Sequence, residues 1–270
     1  MIRAGVVGSP IGHSLSPLIH RAWLAAAGIQ GCYNAYEPDQ GFEAFVDAHR
    51  RDLSGLNVTI PFKLDALEIA DAASALANRA GAANLLTFQS DGSIHADNTD
   101  GEGLLAAFAE QAPGFDPAAG PVVILGAGGA ARGAASAFID AGAPEVRVVN
   151  RSGDKARALC KLLGERAVVS GKLGDVTAVI NATALGLNGG QGPALDFATL
   201  PKSAVVMDMV YRPLETEFLA RARAAGHRTV DGLAMLIGQA RPSFAALFGR
   251  PAPAHVDVRA LCLAELERNP

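Results

Sequence analysis

The chain has little of what would mark several common functions. Its 270 residues include only three cysteines, Cys32, Cys160 and Cys262. They lie far apart without metal-ligand spacing, so they read as reduced, mostly buried thiols and not as a disulfide framework or a zinc site. The six histidines (His13, His20, His49, His95, His227 and His255) show no paired helical spacing, which argues against a metal enzyme. Neither sign of charge dominates: 23 Lys+Arg against 27 Asp+Glu leave −4. Such a balance supplies no general field for nucleic acid or an anionic membrane. No apolar run approaches the ~18 residues of a membrane span. The opening Ile2–Gly8 followed by Ser9-Pro10 reads as a short strand and turn, too broken for the apolar region of a signal peptide. A cytoplasmic protein is expected, without repeats or low-complexity tracts.

What is present is enough apolar material, 50% of residues, to bury sizeable cores. At roughly 150 residues per domain the length suggests two domains. Strand and helix alternate through the first hundred residues. Ser16 reads as an N-cap with Pro17 at the first helical position. Leu56–Ile60 reads as a strand and Pro61 as a helix start. Residues 83–89 and 93–96 flank Ser90-Asp91-Gly92 as a hairpin, and Asp97-Asn98-Thr99-Asp100 caps the next helix. After the Pro/Gly-rich stretch 113–121, strands are predicted at 122–125, 146–149, 178–181 and 205–209, with a weaker one at Thr229-Val230. Helices between them predict a parallel sheet covered on both faces. The apolar stripe Leu233, Leu236, Ile237, Ala240, Phe244, Leu247 and Phe248 needs a partner, and Pro242 within it should kink or interrupt the helix.

Val122–Leu125 runs into Gly126-Ala127-Gly128-Gly129-Ala130-Ala131-Arg132, a strand, glycine turn and helix start in the context a dinucleotide fingerprint requires. Gly126 permits the turn, Gly128 lets backbone approach a pyrophosphate, and Ala131 allows close helix–strand packing. The helix N-terminus offers free N–H groups and a positive dipole end to phosphate. The next strand ends in Asn150-Arg151-Ser152, with Lys155 one turn later, where an NAD site usually carries an acid. The arginine fork and lysine fit a 2′-phosphate, hence NADP(H), although Asp154 tempers the field.

Three N-terminal clusters sit at strand-to-helix turns, where α/β sites form. Ser14 and Ser16 put two hydroxyls at a helix start, where capping explains only one. They do not form a nucleophile elbow. Asn57 and Thr59 share one strand face, and Lys63 falls in a first helical turn, where the dipole disfavours a cation. Asn84 and Asp97–Gly101 add more polar groups than one cap needs. Each cluster alone is more often structural; together they suggest a site for a small polar metabolite.

Gly12–Pro17, Asn57–Lys63, Asp97–Gly101, Gly126–Arg132, Asn150–Ser152 and Asp231–Leu236, in this order across almost the whole chain, resemble shikimate dehydrogenases. The chain departs from the usual pattern at Leu85, Glu215–Phe218, Leu187, Arg241-Pro242 and Leu247–Gly249. The resemblance implies two α/β domains: a substrate domain with a mixed, mainly parallel sheet, residues 1–101 with 239–270, and a Rossmann NADP-binding domain, residues 102–238. It implies that the C-terminal helices return to the first domain. It further implies reversible reduction of 3-dehydroshikimate to shikimate with NADPH, for aromatic amino-acid biosynthesis, by a monomer or homodimer. By matching motif, Lys63 and Asp100 would be the catalytic pair. Ser14, Ser16, Asn57, Thr59, Asn84, Tyr211 and Gln239 would bind substrate. Gly126, Ala127, Gly128, Gly129, Ala130, Asn150, Arg151, Ser152, Lys155, Thr183, Met209 and Gly232 would bind the cofactor. The alternatives are a quinate/shikimate enzyme with broader substrate or NAD use, and a non-catalytic NADP-binding sensor.

Overall fold

The computed structural model describes residues 1–268. It divides into two compact units, Met1–Thr99 with Gln239–Glu265, and Asp100–Gly238 with the chain from Leu266. Among the described residues no helix is long and apolar enough to cross a membrane, and no group of three or more His, Cys, Asp or Glu could hold a metal ion.

The first unit contains β1 (Ile2–Val7), α1 (Ser16–Ala26), β2 (Gly31–Tyr36), α2 (Phe42–His49), β3 (Gly55–Val58), α3 (Lys63–Glu68), β4 (Ala72–Ala73), α4 (Ala75–Ala80), β5 (Leu85–Phe88) and β6 (Ile94–Asp97). Its six strands run in the order β2-β1-β3-β5-β6-β4. β1 pairs parallel with β2 and β3, β5 pairs antiparallel with β3 and β6, and β4 pairs parallel with β6. The β5–β6 hairpin is closed by Asp91, whose carboxylate accepts from the Ser93 N–H at 2.9 Å and hydroxyl at 2.7 Å. Phe42, Val46, Leu56 and Leu86 belong to one apolar core.

The second unit opens with α5 (Asp100–Gln111) and continues with β7 (Val122–Leu125), α6 (Gly129–Asp140), β8 (Val146–Val149), α7 (Gly153–Leu163), β9 (Ala167–Val169), β10 (Ala178–Asn181), β11 (Val205–Asp208), α8 (Glu217–Ala224) and β12 (Arg228–Val230). All six strands are parallel, in the order β12-β11-β10-β7-β8-β9. Side chains alternate between faces with the period of two that strands impose. Val122 and Ile124 join the core formed with Leu104, Phe108 and Phe138, while Val123 and Leu125 join Phe197, Phe218 and Leu219. Two buried faces explain why these strands read as unbroken apolar runs.

The remaining helices are α9 (Gly232–Phe248) and α10 (Val258–Arg268). The apolar stripe of α9 is shared out: residues to Gly238 belong to the second unit, those from Gln239 to the first. In the first unit Phe244 meets Trp23 edge-on at 5.6 Å, and Phe248 lies 4.9 Å from Phe244. Pro242 lies inside α9, which it does not interrupt. One local expectation fails. Ser16 is the first residue of α1 and not its cap, which is Leu15 without a side-chain bond. The Ser14 hydroxyl instead accepts from the Ser16 N–H at 3.3 Å. Strands β2, β4 and β9 and helices α2 and α4 carry weak local signals. β2, with no β-branched residue, exists through its six-residue parallel ladder with β1.

His20 sits in the aromatic layer of the first unit, stacked on Tyr33 at 4.0 Å and 5°, with Nδ1 buried and unpartnered. Burial pushes its pKa down to about 3. The unfolded chain takes up a proton near 6.5 that the folded one refuses, so stability falls as pH drops below that value, by ~1.4 kcal/mol per pH unit. In urea unfolding, the advantage of the wild type over His20→Phe should shrink by about 2 kcal/mol between pH 7.5 and pH 5. Equal differences at both pH values would refute a neutral buried His20.

Candidate active site

In the first unit the polar residues gather at the carboxyl end of β3 and the turns beside it. Asn57 is on β3, Thr59 follows it, and Lys63 is the half-buried first residue of α3. The Lys63 carbonyl accepts from Ala83 N–H at 2.8 Å, which sets α3 beside the entry to β5. Asn84, just ahead of β5, is 3% exposed. Its Nδ2 donates to Thr99 Oγ1 at 3.0 Å and Gln239 Oε1 at 2.9 Å, and its Oδ1 accepts from Thr99 N–H at 2.8 Å. The Asn57 amide nitrogen reaches Ser243 Oγ at 2.9 Å, and the Tyr33 hydroxyl donates to Asn57 Oδ1 at 2.7 Å. Asn57, Asn84 and Gln239 are therefore joined in one network, and Tyr33 extends it towards α1. Burial raises the Tyr33 phenol well above its ordinary value, opposed by a hydrogen bond with Ser16. Ser14 and Ser16 stand at the start of α1.

In the second unit the site residues lie at the carboxyl ends of parallel strands, where open α/β sheets bind ligands. Gly126 adopts φ +120, and a Cβ there would come within 2.9 Å of the Ala182 carbonyl. A side chain is excluded on both counts. Gly128 is the N-cap of α6, makes no side-chain cap bond and has open space around its Cβ position. The first amides of α6, at Gly129 and Ala130, thus lie beside unobstructed backbone, as a pyrophosphate requires. After β8, Asn150 Nδ2 donates to the Ser152 carbonyl at 2.9 Å, and Ser152 caps α7 by accepting from Lys155 N–H at 3.5 Å. Arg151 and Lys155 are exposed. Asp154 is ion-paired with Arg157 at 2.6 Å, so its charge is partly balanced within α7. These residues suit a dinucleotide carrying a 2′-phosphate.

Ahead of these strands, Asp100 is 1% exposed at the first position of α5, where the dipole favours an acid. Thr183, Met209 and Tyr211 lie on the loops after β10 and β11, and Gly232 opens α9. A Cβ on Gly232 would sit 2.4 Å from the Met209 carbonyl, so only glycine lets this loop close on α9. Beneath the loops is a buried set the motif reading passed over. Asp208 accepts from Thr216 Oγ1 at 2.7 Å, Asn181 Nδ2 at 2.9 Å and Val210 N–H at 3.0 Å. Asn181 Oδ1 in turn accepts from the N–H of Thr183 at 3.0 Å and its hydroxyl at 2.6 Å. Burial pushes Asp208 up to about 6, its three donors opposing. An acid closing the apolar run Val205–Met207 was a readable signal for it. Tyr33 and Ser243, in the first unit, had none.

The chain comprises an α/β unit with a mixed sheet and an α/β unit with an all-parallel sheet of the dinucleotide-binding kind. Two family models match: shikimate dehydrogenase substrate binding domain over residues 6–86, and shikimate/quinate 5-dehydrogenase over residues 109–185. A shikimate dehydrogenase (NADP(+)) of Caulobacter vibrioides is 57% identical, over 97% of this chain and 95% of the relative. Among solved structures, shikimate 5-dehydrogenase from Thermus thermophilus in complex with NADP(H) and shikimate has a TM-score of 0.84 at 37% identity, covering 94% of this chain and 95% of that one. Quinate dehydrogenase from Corynebacterium glutamicum in complex with NAD has a TM-score of 0.87 at 30% identity, covering 98% and 99%. The chain belongs to the shikimate dehydrogenase family.

Asp208→Asn turns an amide N–H towards donors and should loosen both loops. NADP+ binding by calorimetry is expected to weaken roughly tenfold. Wild-type affinity should decline more steeply than the variant's as pH falls through about 6, where Asp208 takes up a proton in addition to the cofactor's own 2′-phosphate. Identical titrations would separate these loops from the cofactor.

Proposed function

We propose that this chain catalyses the reversible NADP-dependent reduction of 3-dehydroshikimate to shikimate, a step of aromatic biosynthesis. The carrying observation is the joint presence of the Asn57–Asn84–Gln239 network and the glycine turn backed by Arg151 and Lys155, in a chain this similar to a protein named for that activity. Bound NADPH supplies the hydride. The chain supplies position and protons. Ser14 and Ser16 hold the substrate carboxylate, with Tyr211 beside it. Asn57, Thr59, Asn84 and Gln239 take the ring substituents. Lys63 gives its proton to the carbonyl oxygen as that oxygen becomes a hydroxyl, and recovers one from solvent; oxidation reverses the transfer. Asp100, the second member of the catalytic pair, binds a hydroxyl of the substrate next to the reacting carbonyl. Arg151 and Lys155 would hold the 2′-phosphate, Asn150 and Ser152 shape the turn beneath them, and Thr183, Met209 and Gly232 would help hold the rest of the cofactor.

Lys63→Ala should cut kcat by roughly 10²–10⁴ while KM for shikimate moves only a few-fold. Near-normal turnover would remove Lys63 from the mechanism. The similarity to a quinate dehydrogenase solved with NAD supports a second reading, a broader enzyme. Steady-state assays crossing shikimate and quinate with NADP+ and NAD+ decide between them. Shikimate with NADP+ should give the highest kcat/KM, and Arg151→Ala should lower the NADP+ value while sparing NAD+. A quinate or NAD+ preference would favour the broader enzyme.

A further inference from the structure

The amides of Asn57, Asn84 and Gln239 could each be turned two ways, and their buried neighbours decide which. The Asn84 main-chain carbonyl can only accept, so the Asn57 atom 3.3 Å from it is Nδ2. The other Nδ2 hydrogen meets Ser243 Oγ at 2.9 Å, and that hydroxyl spends its own proton on the Gln239 carbonyl at 3.0 Å. Asn57 Oδ1 is thereby left to accept from the Tyr33 hydroxyl at 2.7 Å. The same logic orients Asn84. The Thr99 backbone N–H can only donate, so the side-chain atom 2.8 Å away is Oδ1. Asn84 Nδ2 then faces Gln239 at 2.9 Å, which obliges Gln239 to turn Oε1 inward and Nε2 away. Tyr33, Asn84, Thr99 and Ser243 are all buried, whereas Asn57 and Gln239 are half-buried. The buried members hold, and the two partly accessible members each present one polarity.

We propose that Tyr33 and Ser243 are positioning residues that fix Asn57 as a hydrogen-bond acceptor, beside a Gln239 that Asn84 fixes as a donor, so that the site selects a ring hydroxyl. A hydroxyl donates to one amide and accepts from the other. A ring carbonyl facing Asn57 would bring two lone pairs together. The oxygen facing Asn57 is therefore a spectator hydroxyl and not the reacting one, which must serve as both hydroxyl and carbonyl during turnover. The inference deepens the proposed function and rests on it.

The test compares shikimate with two analogues, each lacking one of its non-reacting ring hydroxyls. For the wild type, one analogue should lose about ten- to a hundredfold in kcat/KM, mainly through KM. In Tyr33→Phe and Ser243→Ala that penalty should fall about threefold or more, with KM for shikimate rising more than kcat drops. A merely structural role would lower stability and leave the penalty unchanged. Independently of substrate, the Asn57 side-chain amide signals in ¹H–¹⁵N spectra of the free protein should exchange slowly and shift in both variants. An unchanged analogue penalty alongside normal wild-type turnover, or unmoved Asn57 signals, would overturn the inference. A wild type inactive on shikimate would instead sink the proposed activity and leave the amide signals to decide the network.

Discussion

Burial of the Asn84 side chain is the constraint on which the first unit's polar interior depends. An amide out of water must have its hydrogen-bonding groups met, at a cost of about 1–3 kcal/mol for each one left open. Asn84 meets this demand with Thr99 on one side and Gln239 on the other. Those two contacts tie the entry of β5 to the turn after β6 and to the second half of α9. The aromatic layer of Trp23, Phe244 and Phe248 supplies apolar burial for the same return of the chain. Hydrophobic contact brings the helix back without specifying its rotation. The directional bonds to Gln239 and Ser243 specify which residues of the helix face the site.

The second unit solves a related problem with a charge. Its parallel strands end in loops that must be held open at one edge, and Asp208 lies buried beneath two of them. The carboxylate is tolerated there because three donors converge on it, and desolvation still raises its pKa. Contrast Arg147, buried on β8 and ion-paired with Glu145 at 2.6 Å and Asp175 at 2.5 Å. That cluster holds Asp175 far below the usual carboxylate range and engages no motif residue. Both are buried charges, Arg147 ion-paired and Asp208 held by neutral donors, but only Asp208 is bonded to loops that carry candidate site residues.

Much of this architecture is legible in the residues. The β7, β8 and β10 strands fall where they are expected because a strand buried on both faces writes itself as an apolar run. The Gly126 turn is readable because a backbone at positive φ demands glycine. Ser16 misleads since it already belongs to the helix, and the hydroxyl that accepts from its N–H is that of Ser14, a neighbour of similar chemistry. β2 escapes notice since its segment has little strand preference and its stability comes from β1.

Short stretches of chain were enough to read a class of chemistry: a glycine turn suited to a dinucleotide, two cations at Arg151 and Lys155 suited to a 2′-phosphate, and polar residues clustered around Lys63. Within such segments local backbone geometry dictates residue type. How the site's amides are turned, and what supports them, was settled by the folded arrangement alone. Asn84 meets Gln239 across 155 residues of chain and Asn57 meets Ser243 across 186. Hydrogen-bond polarity belongs to the pair and not to either residue, so no local pattern could carry it.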